Sequence, residues 1–235
     1  MMRSLLAILV LASALPTTVS AAGDDEASDV EVEEEKSEVE ILYRPPARGN
    51  PRGRVGGGVR GVGDIHPDLY SLVPDHTGQT ISDQPSLFWY LDAAAPKDAT
   101  LVFTLIDEVH IDPLVEAELP RPAEAGIQRI DLAGHGVRLE PGTEYEWSVA
   151  LIPDPERRSH DVVTTGWIDR VEPPIGLGTG PPSARRYASY GLWYDALAAA
   201  SDRLAAAPSD PAARADRDSL LREVGLGVVL SAHID

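Results

Sequence analysis

The stretch Leu139–Leu151, LEPGTEYEWSVAL, constrains the fold more than any other part of the chain. Pro141-Gly142 is a turn signal. Beyond it Tyr145, Trp147, Val149 and Leu151 fall on one side at period two, with Glu144, Glu146 and Ser148 on the other. A strand with one apolar and one polar face has to lie with the first on a core and the second toward water. The chain around it therefore needs a second layer to pack against.

The neighbouring segments supply that layer. Leu69–Val73 reads as a short first strand, and Pro85–Leu91 alternates Leu87, Trp89 and Leu91 against Phe88 and Tyr90. Thr100–Ile106 groups Leu101, Phe103 and Leu105, and Pro113–Leu119 is proline-bounded, which suits an edge. Ile127–Leu132 precedes a Gly134-His135-Gly136 turn, Thr143–Leu151 is the central strand, and Asp161–Arg170 closes the set. Short strands separated by turns, with no helical pattern between them, favour a β-sandwich over parallel βαβ units. The Leu-x-Pro-Gly-Thr-x-Tyr run ending at Tyr145 resembles the tyrosine corner of immunoglobulin-like sandwiches. Trp89 and Trp147 are expected in the core, each with a partner for its indole N–H.

After the proline- and glycine-rich linker Glu172–Ser183 the period changes. Tyr187, Tyr190, Tyr194, Leu197, Ser201 and Leu204 recur at three- and four-residue steps with Trp193 beside them, which predicts one helix from about Ala184 to Ala206. Pro208 ends it. Ser209 or Asp210 then caps a second helix with Pro211 in its first turn, carrying Leu220, Leu221 and Val224 up to Gly225. A lone helical hairpin cannot bury its own apolar face, so it is expected to dock on the sandwich through its tyrosines and Trp193. The fold class expected is mainly β: an immunoglobulin/fibronectin-III-like β-sandwich with a C-terminal α-helical hairpin.

The chain before the sandwich has a different character. Arg3, the apolar run Leu5–Leu15 and Val19-Ser20-Ala21 read as a cleavable signal peptide over residues 1–22, too short in its apolar part to span a bilayer. The expected location is periplasmic or secreted. Residues 23–42 form an acidic tract that cannot bury enough apolar surface to order itself. Residues 43–64 reverse the charge, carrying Arg44, Arg48, Arg52, Arg54 and Arg60 among glycines and prolines with hardly an acid. Three readings of that run are open: a loop lying across the folded domain, a site for an anionic or acidic partner built from arginine forks and glycine amides, and an RNA-binding Arg-Gly segment, which sits badly with export. The remaining boundaries are residues 65–171 for the sandwich, 172–183 for the linker and 184–235 for the hairpin and tail.

Composition removes several functions. A net charge of −18 opposes non-specific binding to nucleic acid. With no cysteine there is no disulfide, thiolate metal site, Cys nucleophile or lipid-modified Cys. The histidines His66, His76, His110, His135, His160 and His233 are scattered. Glu108, His110 and Asp112 would share a face if Asp107–Asp112 were a strand, giving a mixed nitrogen and oxygen metal site, but a strand end turning into solvent is the better reading. Asp169 and Glu172 flank Arg170 and read as a surface ion-pair network. No cofactor, metal or catalytic residue is assigned. GLGTGPP at 176–182 is not a dinucleotide loop, since prolines stand where a helix has to start.

Taken together, YRPPARGNPRGRVGGGVRG, SDQPSLFWYL, FTLIDE, LEPGTEYEWSVAL, GWIDRVEP, GLWYDALAAASDRL and LLREVGL resemble a bacterial family known as domain of unknown function 928, from Tyr43 to about Leu226. The resemblance implies an exported protein and carries no catalytic residues with it. The expected function is an exported, non-enzymatic binding or interaction protein of the cell envelope. The alternative is a periplasmic hydrolase or metal-dependent enzyme whose site is assembled from distant residues.

Overall fold

The computed structural model describes residues 41–46, 66–178 and 180–231. Its strands are β1 (Leu69–Ser71), β2 (Gly78–Thr80), β3 (Ser86–Leu91), β4 (Thr100–Asp107), β5 (Val115–Leu119), β6 (Gly126–Asp131), β7 (Glu144–Ile152) and β8 (Val162–Arg170). The helices are α1 (Ala184–Ser189), α2 (Trp193–Ala206), α3 (Pro211–Glu223) and α4 (Val228–Ser231). The strands form two sheets, ordered β1-β3-β6 and β2-β8-β7-β4-β5. The protein is mainly β, with its longer helices gathered at the C-terminal end.

β7 lies at the centre of the larger sheet, and the period-two side of Tyr145, Trp147, Val149 and Leu151 is buried along its whole length. Leu101, Phe103 and Leu105 of β4 stand opposite Leu151, Val149 and Trp147 in register, so the two strands make one apolar surface. The turn before β7 closes as expected: the Tyr145 hydroxyl accepts the Glu140 N–H at 2.8 Å. Gly142 has φ 75 there and its N–H donates to the Arg170 carbonyl at 2.8 Å. Among the described residues β5 is an edge, paired to β4 alone.

β2 was not foreseen. Its Gly78-Gln79-Thr80 carries no apolar alternation, and it pairs parallel to Ile168–Arg170 of β8 at the other edge of the sheet. The two sheets are stitched by polar contacts as well as apolar ones. The Ser71 N–H donates to the Thr164 hydroxyl at 2.8 Å, and the Ser71 hydroxyl donates to the Thr165 carbonyl at 2.6 Å.

The single helix expected over Ala184–Ala206 is two. α1 stops at Ser189 and α2 starts at Trp193, with Gly191 at φ 77 between them. A left-handed residue cannot continue a right-handed helix, and the Arg44 backbone keeps that position a glycine, its carbonyl lying 2.8 Å from where a Cβ on Gly191 would sit. The Arg44 N–H also donates to the Ala188 carbonyl at 3.1 Å, which anchors residues 41–46 at the break. α3 begins as read, Asp210 accepting the Ala212 N–H at 2.9 Å with Pro211 in the first turn.

Helix α2 lies against β2 and β3, one strand from each sheet. The Trp193 indole donates to the Leu72 carbonyl at 2.9 Å. The Tyr194 hydroxyl accepts from the Trp147 indole and donates to the Trp167 carbonyl, both at 2.9 Å. Two glycines make room for this relay. A Cβ on Gly166 would lie 2.7 Å from the Trp147 ring, and one on Gly78 would lie 2.7 Å from the Tyr194 ring. Trp89 departs from expectation, because its buried indole nitrogen has no hydrogen-bond partner among the described residues.

Candidate functional site

A cleft of about 310 Å³ opens where α2 meets the turn after β2. One wall is polar, made by Thr80, Ser82, Gln84 and Ser86. The other is largely apolar, made by Pro181, Pro182, Tyr187, Ala198 and Ala199. Arg129, Asp195 and Asp202 bring charge to it.

The polar wall is held by local hydrogen bonds. The Ser82 N–H donates to the Thr80 hydroxyl at 3.1 Å, the Gln84 N–H to the Ser82 hydroxyl at 3.2 Å, and the Gln84 side-chain amide to the Val137 carbonyl at 3.0 Å. Asp195 sits in the first turn of α2, where a carboxylate suits the helix N-terminus. It accepts the Ile81 N–H at 3.2 Å. Burial nevertheless pushes its carboxyl up to about 6, against the lowering effect of bonds from Thr80 and Ile81. Burial, followed by the Asp195 charge, raises the Tyr187 phenol as well.

Arg129 projects from β6 with its guanidinium 5.6 Å from the centre of the Phe88 ring. Its Nε donates to Asp131 at 2.6 Å and one terminal nitrogen donates to Asp202. The Ser86 hydroxyl donates to the same Asp131 oxygen at 2.6 Å. Burial works against the Asp131 charge, yet the Ser86 and Arg129 bonds hold its carboxyl below the usual range. Arg129 is thus fixed in place and largely neutralised by two carboxylates.

Of the arginines singled out by sequence, Arg44 is exposed at the surface of the docked segment 41–46. Arg48, Arg52, Arg54 and Arg60 lie outside the described residues, as do the signal peptide and the acidic tract up to residue 40; Ile41 and Leu42, at the end of that tract, belong to the docked segment. Segment 41–46 is tied down at several points. The Ile41 N–H donates to the Ser219 hydroxyl at 3.1 Å, and that hydroxyl donates to the Ile41 carbonyl at 3.3 Å. The Tyr43 hydroxyl meets His76 Nε2 at 3.0 Å, and its ring packs edge-on against Trp193. Burial, opposed by the charge of Asp75, lowers the His76 imidazole.

Two other sequence candidates have different outcomes. β4 ends at Asp107 and Glu108–Asp112 leaves the strand, the reading preferred from sequence: the Asp107 carboxylate accepts the N–H groups of Val109 and His110 and contacts the His110 ring at 2.8 Å. Asp107 thereby caps the turn. Among the described residues no group of three His, Asp or Glu is placed to hold a metal ion. Among the described residues no ion pair joins Arg170 to Asp169 or Glu172, so the network expected there is not seen. Arg170 instead donates to the Leu139 carbonyl at 2.6 Å, locking the turn before β7, while Asp169 accepts from Gln79 at 3.4 Å. The linker glycines serve the fold, Arg186 donating to the carbonyls of Leu177 and Gly176.

The cleft itself was missed by sequence reasoning. Its residues come from β2 and the turn after it, β3, β6, the linker and two helices, and only the lone acid in the first turn of α2, between Tyr194 and Leu197, was a local sign.

The fold and cleft define a two-sheet β protein with a helical layer on one flank, a scaffold that fixes no activity by itself. Residues 55–234 match the family model Domain of Unknown Function (DUF928), and the chain belongs to that family. No curated protein and no solved structure gives a significant match. Among the described residues no helix is long and apolar enough to cross a membrane.

Proposed function

We propose that this is an exported, non-enzymatic binding protein of the bacterial cell envelope, built on an immunoglobulin/fibronectin-III-like sandwich, that engages an anionic or acidic partner through Arg44, Arg48, Arg52, Arg54 and Arg60. The carrying observation is the way Ile41–Pro46 is stitched onto the helical layer by Ser219, Ala188 and His76. Arg44, the first of the five arginines, is exposed there. Export is supported by the sequence of residues 1–22, and the sandwich class by the two sheets and the Tyr145 turn closure. The test is affinity capture from envelope extract with the full mature chain and with a variant combining Arg52→Ala, Arg54→Ala and Arg60→Ala. The variant is expected to keep the wild-type circular dichroism and lose its partner. Equal capture by both refutes the arginine site.

Asp195 favours a second reading, a periplasmic hydrolase. A carboxyl pushed up to about 6 inside a cleft has the acidity of a general acid at neutral pH. Turnover of chromogenic esters and glycosides that disappears in Asp195→Asn would establish it. An absence of turnover in the wild type removes it.

A further inference from the structure

We infer that the cleft between the turn after β2 and helix α2 binds a saccharide of one or two pyranose rings, stacked on Tyr187 and held through its hydroxyl groups by Arg129 and Asp202. This goes beyond the arginine-run reading and stands on different residues.

Size comes first. About 310 Å³ lies at the lower end of the range of small-molecule sites, roughly 300–1,000 Å³, so the ligand is small. Charge narrows it further. An anion entering the cleft would meet Asp195 and Asp202, with Asp131 behind them on Arg129. A cation would find Asp131 and Asp202 already paired with Arg129, and Asp195 already accepting the Ile81 N–H. A neutral ligand with adjacent hydroxyl groups fits both, because each hydroxyl donates one hydrogen bond and accepts others. It can donate to Asp202 while accepting from Arg129, two of whose N–H groups are already committed to Asp131 and Asp202 and so fix its orientation.

The two walls complete the match. A pyranose presents hydroxyls around its rim and C–H bonds on its faces. The Tyr187 ring, Pro181, Pro182, Ala198 and Ala199 offer an apolar surface for a face, and the electron-rich face of an aromatic ring attracts polarised C–H groups. Ser82, Gln84 and Ser86 line the opposite wall with groups that accept or donate to the rim. Arg129 is prepositioned on Phe88, so binding orders little side chain that is not already ordered.

The experiment is isothermal titration of the mature chain with cellobiose, maltose and N,N′-diacetylchitobiose, alongside spermidine and inorganic phosphate. Co-sedimentation with insoluble cellulose and with purified peptidoglycan separates a free sugar from a polymer as the source. At least one saccharide is expected to bind with a Kd of about 0.1–1 mM. Asp202→Ala and Tyr187→Ala are each expected to weaken it at least about tenfold. Asp202 is exposed, so its variant reports on binding even if Tyr187→Ala folds poorly. Tyr187→Phe keeps the stacking ring and is expected to retain most of the affinity. The inference is overturned if no sugar, free or polymeric, binds at about 10 mM. It is overturned equally if binding is unmoved by Asp202→Ala and Tyr187→Ala, or if spermidine or phosphate occupies the cleft more tightly than any saccharide. None of these outcomes touches the arginine run.

Discussion

Removing a single oxygen atom tests how the helices are fastened to the sheets. Tyr194 is 1 % exposed and Trp147 is fully buried, and the Tyr194 hydroxyl is the acceptor for the Trp147 indole N–H. Burial pushes the Tyr194 phenol above its usual range, so the hydroxyl stays neutral and keeps its proton for the Trp167 carbonyl. Tyr194→Phe preserves the ring and its packing but leaves the indole donor buried and unmade. Such an orphaned group costs about 1–3 kcal/mol, and we take about 2 kcal/mol here. With a urea m value of about 2 kcal/mol/M, the unfolding midpoint falls by about 1 M at unchanged m. The assay is equilibrium urea unfolding followed by circular dichroism. A double-mutant cycle with Trp147→Phe isolates the bond itself, with an expected coupling of about 1 kcal/mol or more. A midpoint shift below about 0.2 M, or a coupling near zero, would refute the claim that this relay joins the layers.

Gly166→Ala should lower stability by about 1–3 kcal/mol, because its Cβ would press on the buried Trp147 ring at 2.7 Å; thermal melting reads this directly. Gly191→Ala forces a side chain onto a residue at φ 77 and against the Arg44 carbonyl, so residues 41–46 should detach and the Tyr43–Arg44 peptide bond become sensitive to chymotrypsin. Asp195→Asn should stabilise the protein at neutral pH. The folded carboxyl is pushed up to about 6 from 3.8, so the fold prefers it protonated and loses stability as pH rises through that interval. At pH 7 the loss is on the order of 3 kcal/mol, taking about 1.4 kcal/mol per tenfold change in acidity. The advantage of Asn should vanish below about pH 4, as urea midpoints measured across pH will show.

Elements with strong local signals could be read directly from the amino-acid order. The alternation of β7, the closure on Tyr145 and the Asp210-Pro211 start of α3 all depend on neighbours within a few positions. β2 escaped because Gly78-Gln79-Thr80 owes its strand conformation to β8, far along the chain, and to the nearby Tyr194 and Trp193 rings that leave no room for a side chain at Gly78. The break between α1 and α2 escaped for a similar reason: the tyrosine stripe continues across Gly191, and the left-handed turn there is packed against the distant Arg44 backbone. The cleft was illegible because no two of its walls are close in sequence. Arg170 misled because a guanidinium beside two acids suggests pairing, whereas a carbonyl at the preceding turn claims it.

The clasp between Ile41 and Ser219 joins residues 178 positions apart. A nascent chain emerging from the ribosome therefore carries Ile41 long before the α3 serine that seats it has been synthesised. The docking of Ile41 is a late event by topology, since so large a loop has to close first. Any product terminated ahead of α3 would leave Ile41 without that clasp and open to proteases and chaperones, which gives the cell a direct means of telling finished molecules from incomplete ones.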